Sequence, residues 1–208
     1  MPTSSRTLTA PGRPRLVGLC LAIVTALVVL VPPVPELAPT AVAAPTSIWS
    51  GSVTPSVPAE ADPAAVEVGV KFRADTSGFI TGLRFYKGPG NTGTHVGHLW
   101  TANGSLLATA TFTNETASGW QQVTLATPVA VAANTTYVAS YYAPVGRYSV
   151  DDNFFASSGV DNPPLHALAN GVDGGNGVYR YGTGGGFPTS TYAASNYWID
   201  VVFDTSAA

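Results

Sequence analysis

From Val66 onward, apolar residues recur at every second position. Val66, Val68, Val70 and Phe72 alternate with Glu67, Gly69, Lys71 and Arg73. A period of two is the signature of a strand, so the first set is assigned to a core and the second to solvent. Phe79 to Lys87 repeats the pattern, with Phe79, Leu83 and Phe85 on one side and Arg84 and Tyr86 on the other. Gly88-Pro89-Gly90-Asn91-Thr92-Gly93 then reads as a loop, because Gly and Asn accept positive φ and Pro fixes it. His95 to Thr101 and Ser105 to Thr113 flank Asn103-Gly104, the strongest hairpin dipeptide. Further strands are expected at Trp120–Leu125, Thr135–Tyr142, Tyr148–Val150, Val178–Tyr181 and Tyr197–Phe203. The last puts Tyr197, Ile199, Val201 and Phe203 on one face. Pro163 to Ala169 is expected to make one helical turn. About eight to ten short strands with turns between them predict an all-β fold, a single jelly-roll-like β-sandwich. Its bounds are set at residues 66–204, with an irregular loop region at 151–187.

The first residues follow another rule. Arg6, Arg13 and Arg15 precede an apolar run from Leu16 to Val31, and Ala41-Val42-Ala43 is a small-x-small site. Together they predict a cleaved signal peptide over residues 1–43. The apolar run falls short of the ~20 residues that span a bilayer. Residues 44–65 have several prolines and little periodicity, and are expected to lead into the sandwich, with Ile48-Trp49 pairing at a sheet edge. The only cysteine, Cys20, lies inside the signal, so the exported part has neither disulfide nor thiolate. The expected location is extracellular.

Charge narrows the partners. The chain carries a formal net charge of −3, and removal of residues 1–43 leaves six basic and eleven acidic residues. A mildly acidic, charge-poor surface argues against nucleic acid and, after cleavage, against an anionic membrane.

Four segments carry a family resemblance: Ile80–Lys87, Gly119–Val123, Thr136–Tyr141 and Asn196–Phe203. In that order they resemble a bacterial extracellular family catalogued as domain of unknown function 4082. The resemblance runs from about Ile48 to Phe203. It implies an exported protein active in polysaccharide or surface biology, since members occur beside immunoglobulin-like and sugar-active domains. It implies no catalytic residue.

The residues themselves name no reaction. The chain has no G-x-S-x-G elbow, H-E-x-x-H, phosphate-binding loop or dinucleotide fingerprint. Glu67 and Glu115 are glycosidase carboxylates in type only, and Glu67 is expected on a solvated strand face. His95 and His98, three apart on a strand, are expected to diverge rather than share a metal. Asp151, Asp152, Asp161, Asp173 and Asn176 offer hard oxygens in the irregular region and are the candidate calcium ligands; turn chemistry explains the same residues. Aromatic rings offer a sugar a large, rigid contact surface. The candidate ligand-binding residues are therefore Tyr86, Tyr142, Arg147, Tyr148, Asp151, Asn153, Tyr179, Arg180 and Tyr181. Trp100, Trp120 and Trp198 lie in apolar runs and are assigned to the core. The expected function is non-catalytic binding of carbohydrate or another extracellular polymer. A structural or protein-binding surface module and an uncharacterised hydrolase are the alternatives.

Overall fold

The alternation in sequence becomes two antiparallel sheets. The computed structural model describes residues 44–207, together with residues 3, 4, 7, 10 and 12. The chain divides into two units, residues 1–40 and 41–208, and the first holds only those five described positions. Apart from them, the expected signal peptide lies outside the described residues. The strands are β1 (Val66–Ala74), β2 (Gly78–Lys87), β3 (Val96–Thr101), β4 (Leu106–Thr111), β5 (Gly119–Val131), β6 (Tyr137–Ala143), β7 (Val160–Asn162), β8 (Leu165–Ala167), β9 (Val178–Tyr181), β10 (Ser190–Thr191) and β11 (Ile199–Asp204).

The larger sheet runs β10-β9-β1-β6-β3-β4, with the β7–β8 hairpin joined to β1. The smaller runs β11-β2-β5. Their facing sides make the core, where Val66, Val68, Val70 and Phe72 of β1 meet Leu83 and Phe85 of β2 and Ile199, Val201 and Phe203 of β11. Phe85 of the small sheet stacks on Tyr141 of the large one at 4.1 Å. This is an all-β sandwich, and no helix occurs among the described residues.

Three expectations are corrected. Pro163–Ala169 forms no helical turn; it closes the β7–β8 hairpin. Leu165 and Ala167 are buried and His166 is not, a period of two that lets β8 pair with β1. On β2 it is Ile80, not Phe79, that shares the core face with Leu83 and Phe85. A register shift between Ile80 and Gly82 resets the alternation there. Finally, parts of both outer faces are covered, so Glu67 and Arg84, assigned to solvent, are buried.

On the small sheet the cover is the N-terminal segment. Thr46 exchanges backbone hydrogen bonds with Phe203 at 2.8 Å, so the sheet edge is met at Thr46 rather than at Ile48-Trp49. The amides of Ile48 and Trp49 donate instead to the buried carboxylate of Asp200, at 2.7 and 3.4 Å. Arg84 pairs with Asp200 at 3.0 Å and lies 4.6 Å from the Trp120 ring centroid. Trp49, Trp120 and Trp198 close over this outer face. Burial pushes the Asp200 carboxyl up to about 6, against the opposing pull of Arg84.

On the large sheet the cover is the turn after β9. Phe187 lies edge-on to Trp100 and packs on a small outer cluster with Val138 and Val178. Glu67 is 0% exposed beneath it, not solvated. Its Oε1 accepts from Ser140 Oγ at 2.5 Å and bonds His98 Nδ1 at 2.8 Å. Its Oε2 has no hydrogen-bond partner. Gly185, at φ +69°, passes so near that a Cβ there would fall 2.6 Å from Oε2.

Candidate functional site

A cleft of about 350 Å³ opens at the β10–β9 edge of the larger sheet. Its lining includes Tyr148, Tyr179, Tyr181, Tyr192 and Tyr197 and the acids Glu60, Asp62 and Asp152. Several elements supply them. Tyr179 and Tyr181 are two apart on β9 and so share one face, paired in register with Val68 and Val66. Tyr192 follows β10 and Tyr197 precedes β11. Glu60 and Asp62 belong to the N-terminal segment.

That segment is pinned to the cleft. The Glu60 amide donates to Tyr148 O at 2.8 Å, and the Arg147 amide donates to Asp62 O at 2.8 Å. The Arg147 guanidinium donates to Ala61 O at 3.0 Å. The rings pack edge to face: Tyr148 on Tyr197 at 5.6 Å, Tyr179 on Tyr181 at 5.5 Å and Tyr179 on Tyr197 at 6.5 Å. Such contacts hold aromatic side chains in fixed positions. Tyr148 and Tyr197 are buried, whereas Tyr181 is 51% exposed and Tyr192 is 62% exposed. These two are the only exposed aromatic rings among the described residues.

The polar chemistry is acidic. Asp62 Oδ2 accepts from the hydroxyls of Tyr181 and, at 3.5 Å, Tyr148, while Oδ1 accepts from the Ala64 amide at 2.8 Å. The Asp62 hydrogen bond raises the Tyr181 phenol above its usual range, and partial burial adds to it. Burial likewise raises Tyr148 and Tyr197. These three phenols stay neutral at physiological pH and serve as donors and flat apolar faces. Asp152 accepts from Ser195 Oγ at 2.7 Å through Oδ1, and Glu60 accepts from the Ala61 amide at 2.8 Å through Oε1. No Lys, Arg or His lines the cleft.

The cleft brings together Tyr148, Tyr179 and Tyr181 of the residues expected to bind ligand. The others lie elsewhere. Tyr86 packs edge-on to Trp120 at 5.7 Å on the small sheet. Tyr142 lies opposite Glu67 on the covered face of the large sheet. Arg147 clamps the segment that carries Asp62. Asp151 holds the Ser56 amide at 3.0 Å and Trp198 Nε1 at 2.8 Å. Asn153 is an exposed turn residue at φ 60°, its amide donating to Ala193 O. Arg180 turns away from the cleft and donates to Gly185 O.

The candidate calcium ligands are not brought together. Asp151 and Asp152 hold the partners just given. Asp161 bonds His166, Asp173 bonds Arg73, and buried Asn176 bonds the backbone of Lys71 and Leu168. No group of three or more His, Cys, Asp or Glu able to hold a metal occurs among the described residues. Each of these residues bonds a nearby group of the chain through at least one side-chain atom, which is ordinary loop-ordering chemistry.

Two Glu–His pairs, each with one buried member (Glu67 and His95), stand apart from the cleft. Glu67 lies between Ser140 and His98, so the carboxylate rather than the imidazole touches the hydroxyl. Activating a nucleophile needs the imidazole in the middle. Glu115 bonds His95 Nδ1 at 2.8 Å and Lys87 at 2.7 Å, and Asn91 bridges His95 to the Tyr141 hydroxyl.

A family model described as Domain of unknown function (DUF4082) matches residues 52–199. The chain belongs to the DUF4082 family. The DUF4082 match spans every residue that lines the cleft, from Glu60 to Tyr197. No curated protein matches the sequence.

Sequence reasoning missed Tyr192, Tyr197, Glu60 and Asp62. Tyr197 alternates with Ile199 and Val201 and so reads as core. Tyr192 sits in a polar stretch without periodicity. Glu60 and Asp62 carried one usable signal: two acids within four positions of both Pro58 and Pro63, with no cation nearby in sequence.

Proposed function

We propose that this chain is an exported, non-catalytic module that binds carbohydrate or another extracellular polymer in the tyrosine cleft. One observation carries the reading. The only exposed aromatic rings among the described residues, Tyr181 and Tyr192, line the same cleft. Solvated rings on a rigid support cost a chain hydrophobic surface, and grouping them in one concavity is what a stacking ligand requires. Carboxylates at the rim are suited to take hydroxyl or amine protons and to fix orientation. The signal-like residues 1–43 support an extracellular setting.

Retention of the purified exported protein on chitin, cellulose, xylan, β-glucan and cell-wall material tests this. Binding to at least one polymer is expected, falling about tenfold or more in a Tyr181→Ala/Tyr192→Ala variant, the loss of two stacking contacts. Retention on none of them, or retention untouched by the double variant, rejects the cleft as the binding site.

A second reading, a protein-binding surface module, has one observation in its favour. β4 is an edge strand that exposes Leu106 and Leu107, beside a shallow hollow shared with β5. Free strand edges template pairing with another chain. Leu106→Lys would abolish an assembly formed there and leave polymer retention unchanged.

A further inference from the structure

The cleft is electrostatically unbalanced. Eleven acidic residues follow residue 43. Six of them form pairs with a Lys, Arg or His side chain: Glu67, Asp75, Glu115, Asp161, Asp173 and Asp200. Of the five that form none among the described residues, three line one cavity: Glu60, Asp62 and Asp152. The six cations of the same region are engaged elsewhere. Lys71 and Arg73 bond Asp173, Arg84 bonds Asp200, Lys87 bonds Glu115, and Arg180 bonds Gly185 O. Arg147 comes nearest, but its guanidinium faces Ala61 O and forms no ion pair with Asp62.

Three carboxylates facing one concavity repel one another, and a neutral sugar would leave that repulsion in place. The field of such a cleft favours a positive ligand. The tyrosine faces act in the same direction, since a cation over an aromatic ring is attracted by its quadrupole. The free oxygens match this need. Glu60 and Asp152 each use a single carboxylate oxygen in the hydrogen bonds described above, which leaves Oε2 and Oδ2 to receive a donor.

Resting on the reading of the cleft as a polymer site, we propose that its ligand is a glycan bearing free, unacetylated amino groups. The ammonium sits among Glu60, Asp62 and Asp152, and the pyranose faces lie on Tyr181 and Tyr192. Acetylation removes the positive charge and the ammonium donors together, so the acetylated polymer is the weaker ligand.

The test compares chitosan with chitin, the same backbone with and without free amines, using the purified exported protein at constant ionic strength. Chitosan should bind about tenfold or more tightly, and Asp62→Asn/Asp152→Asn should remove that preference. Asp161→Asn, which changes charge on exposed strand β7 outside the cleft, should not. A soluble glucosamine oligomer should compete, and a lysine oligomer should not. Equal binding to both polymers, or a preference that survives the double variant, overturns the amine assignment while the polymer-binding reading stands. Loss of the preference in Asp161→Asn as well would reduce it to general charge attraction and overturns the assignment too. Competition by the lysine oligomer alone reassigns the cleft to a basic peptide. Absence of binding to chitin, chitosan and every other polymer rejects the underlying reading itself.

Discussion

Glu67 shows how a residue's setting escapes a local pattern. Alternation along β1 places its side chain on the outer face, and that is where it lies. Alternation does not tell that a glycine-rich turn some 120 residues later covers this face with Gly185 and Phe187. The same limit applies to the cleft. Tyr179 and Tyr181 could be read together, because two-residue spacing puts them on one face. Tyr192, Glu60 and Asp62 arrive from distant segments, and only the fold joins them. The histidines give a prediction at this scale. Burial lowers His95 below the ordinary imidazole range, against the pull of Glu115. The hydrogen bond to Asp161 raises His166, with partial burial opposing it. Histidine ring NMR across a pH titration should therefore show His166 protonating before His95 as pH falls. The sign for stability follows. His95 is depressed in the folded state, so its contribution is intact above about 6.5 and is lost as pH falls below it. His166 does the reverse, contributing fully below about 6.5 and fading as pH rises through its raised value. A His95 that titrates with His166 would contradict the buried Glu115–His95–Asn91 arrangement.

At the scale of elements, strands were legible and their covers were not. Each long run of period two became a strand, and the Asn103-Gly104 turn joins β3 to β4. The bulge between Ile80 and Gly82 was invisible, because a one-residue shift leaves no mark in composition. The prolines and weak periodicity of the N-terminal segment predict no more than a lead-in. The segment is a third layer, tied down at Asp200 and Asp151, and it supplies two of the three acids of the cleft. Asp200→Ala should cost about 3 kcal/mol at pH 7, because it orphans buried Arg84 and the Ile48 and Trp49 amides. Urea unfolding of the two proteins measures the difference. The Asp200 carboxyl is raised to about 6, so its contribution is fully present below its unfolded value and is lost as pH rises through about 6. The penalty of the substitution should thus widen as pH falls from 7 toward 5. A cost below about 1 kcal/mol would mean that the segment is held by its tryptophans alone.

For the whole molecule, the sandwich explains where a site can form. Each outer sheet face is covered in part, one by the N-terminal segment and one by the turn after β9. The tyrosine cleft opens at the β10–β9 edge of the larger sheet, where core tyrosines run out into solvent beside the Asp62 segment. Affinity there would come from rings already held in place by their neighbours, so little ordering is lost on binding. The most direct test is ring-selective NMR of the tyrosines while a soluble oligomer of the retained polymer is titrated in. The account predicts shifts at Tyr181 and Tyr192, smaller ones at Tyr148, Tyr179 and Tyr197, and none at Tyr86 or Tyr142. Shifts at Tyr86 or Tyr142 with Tyr181 and Tyr192 unmoved would place the ligand elsewhere and contradict it.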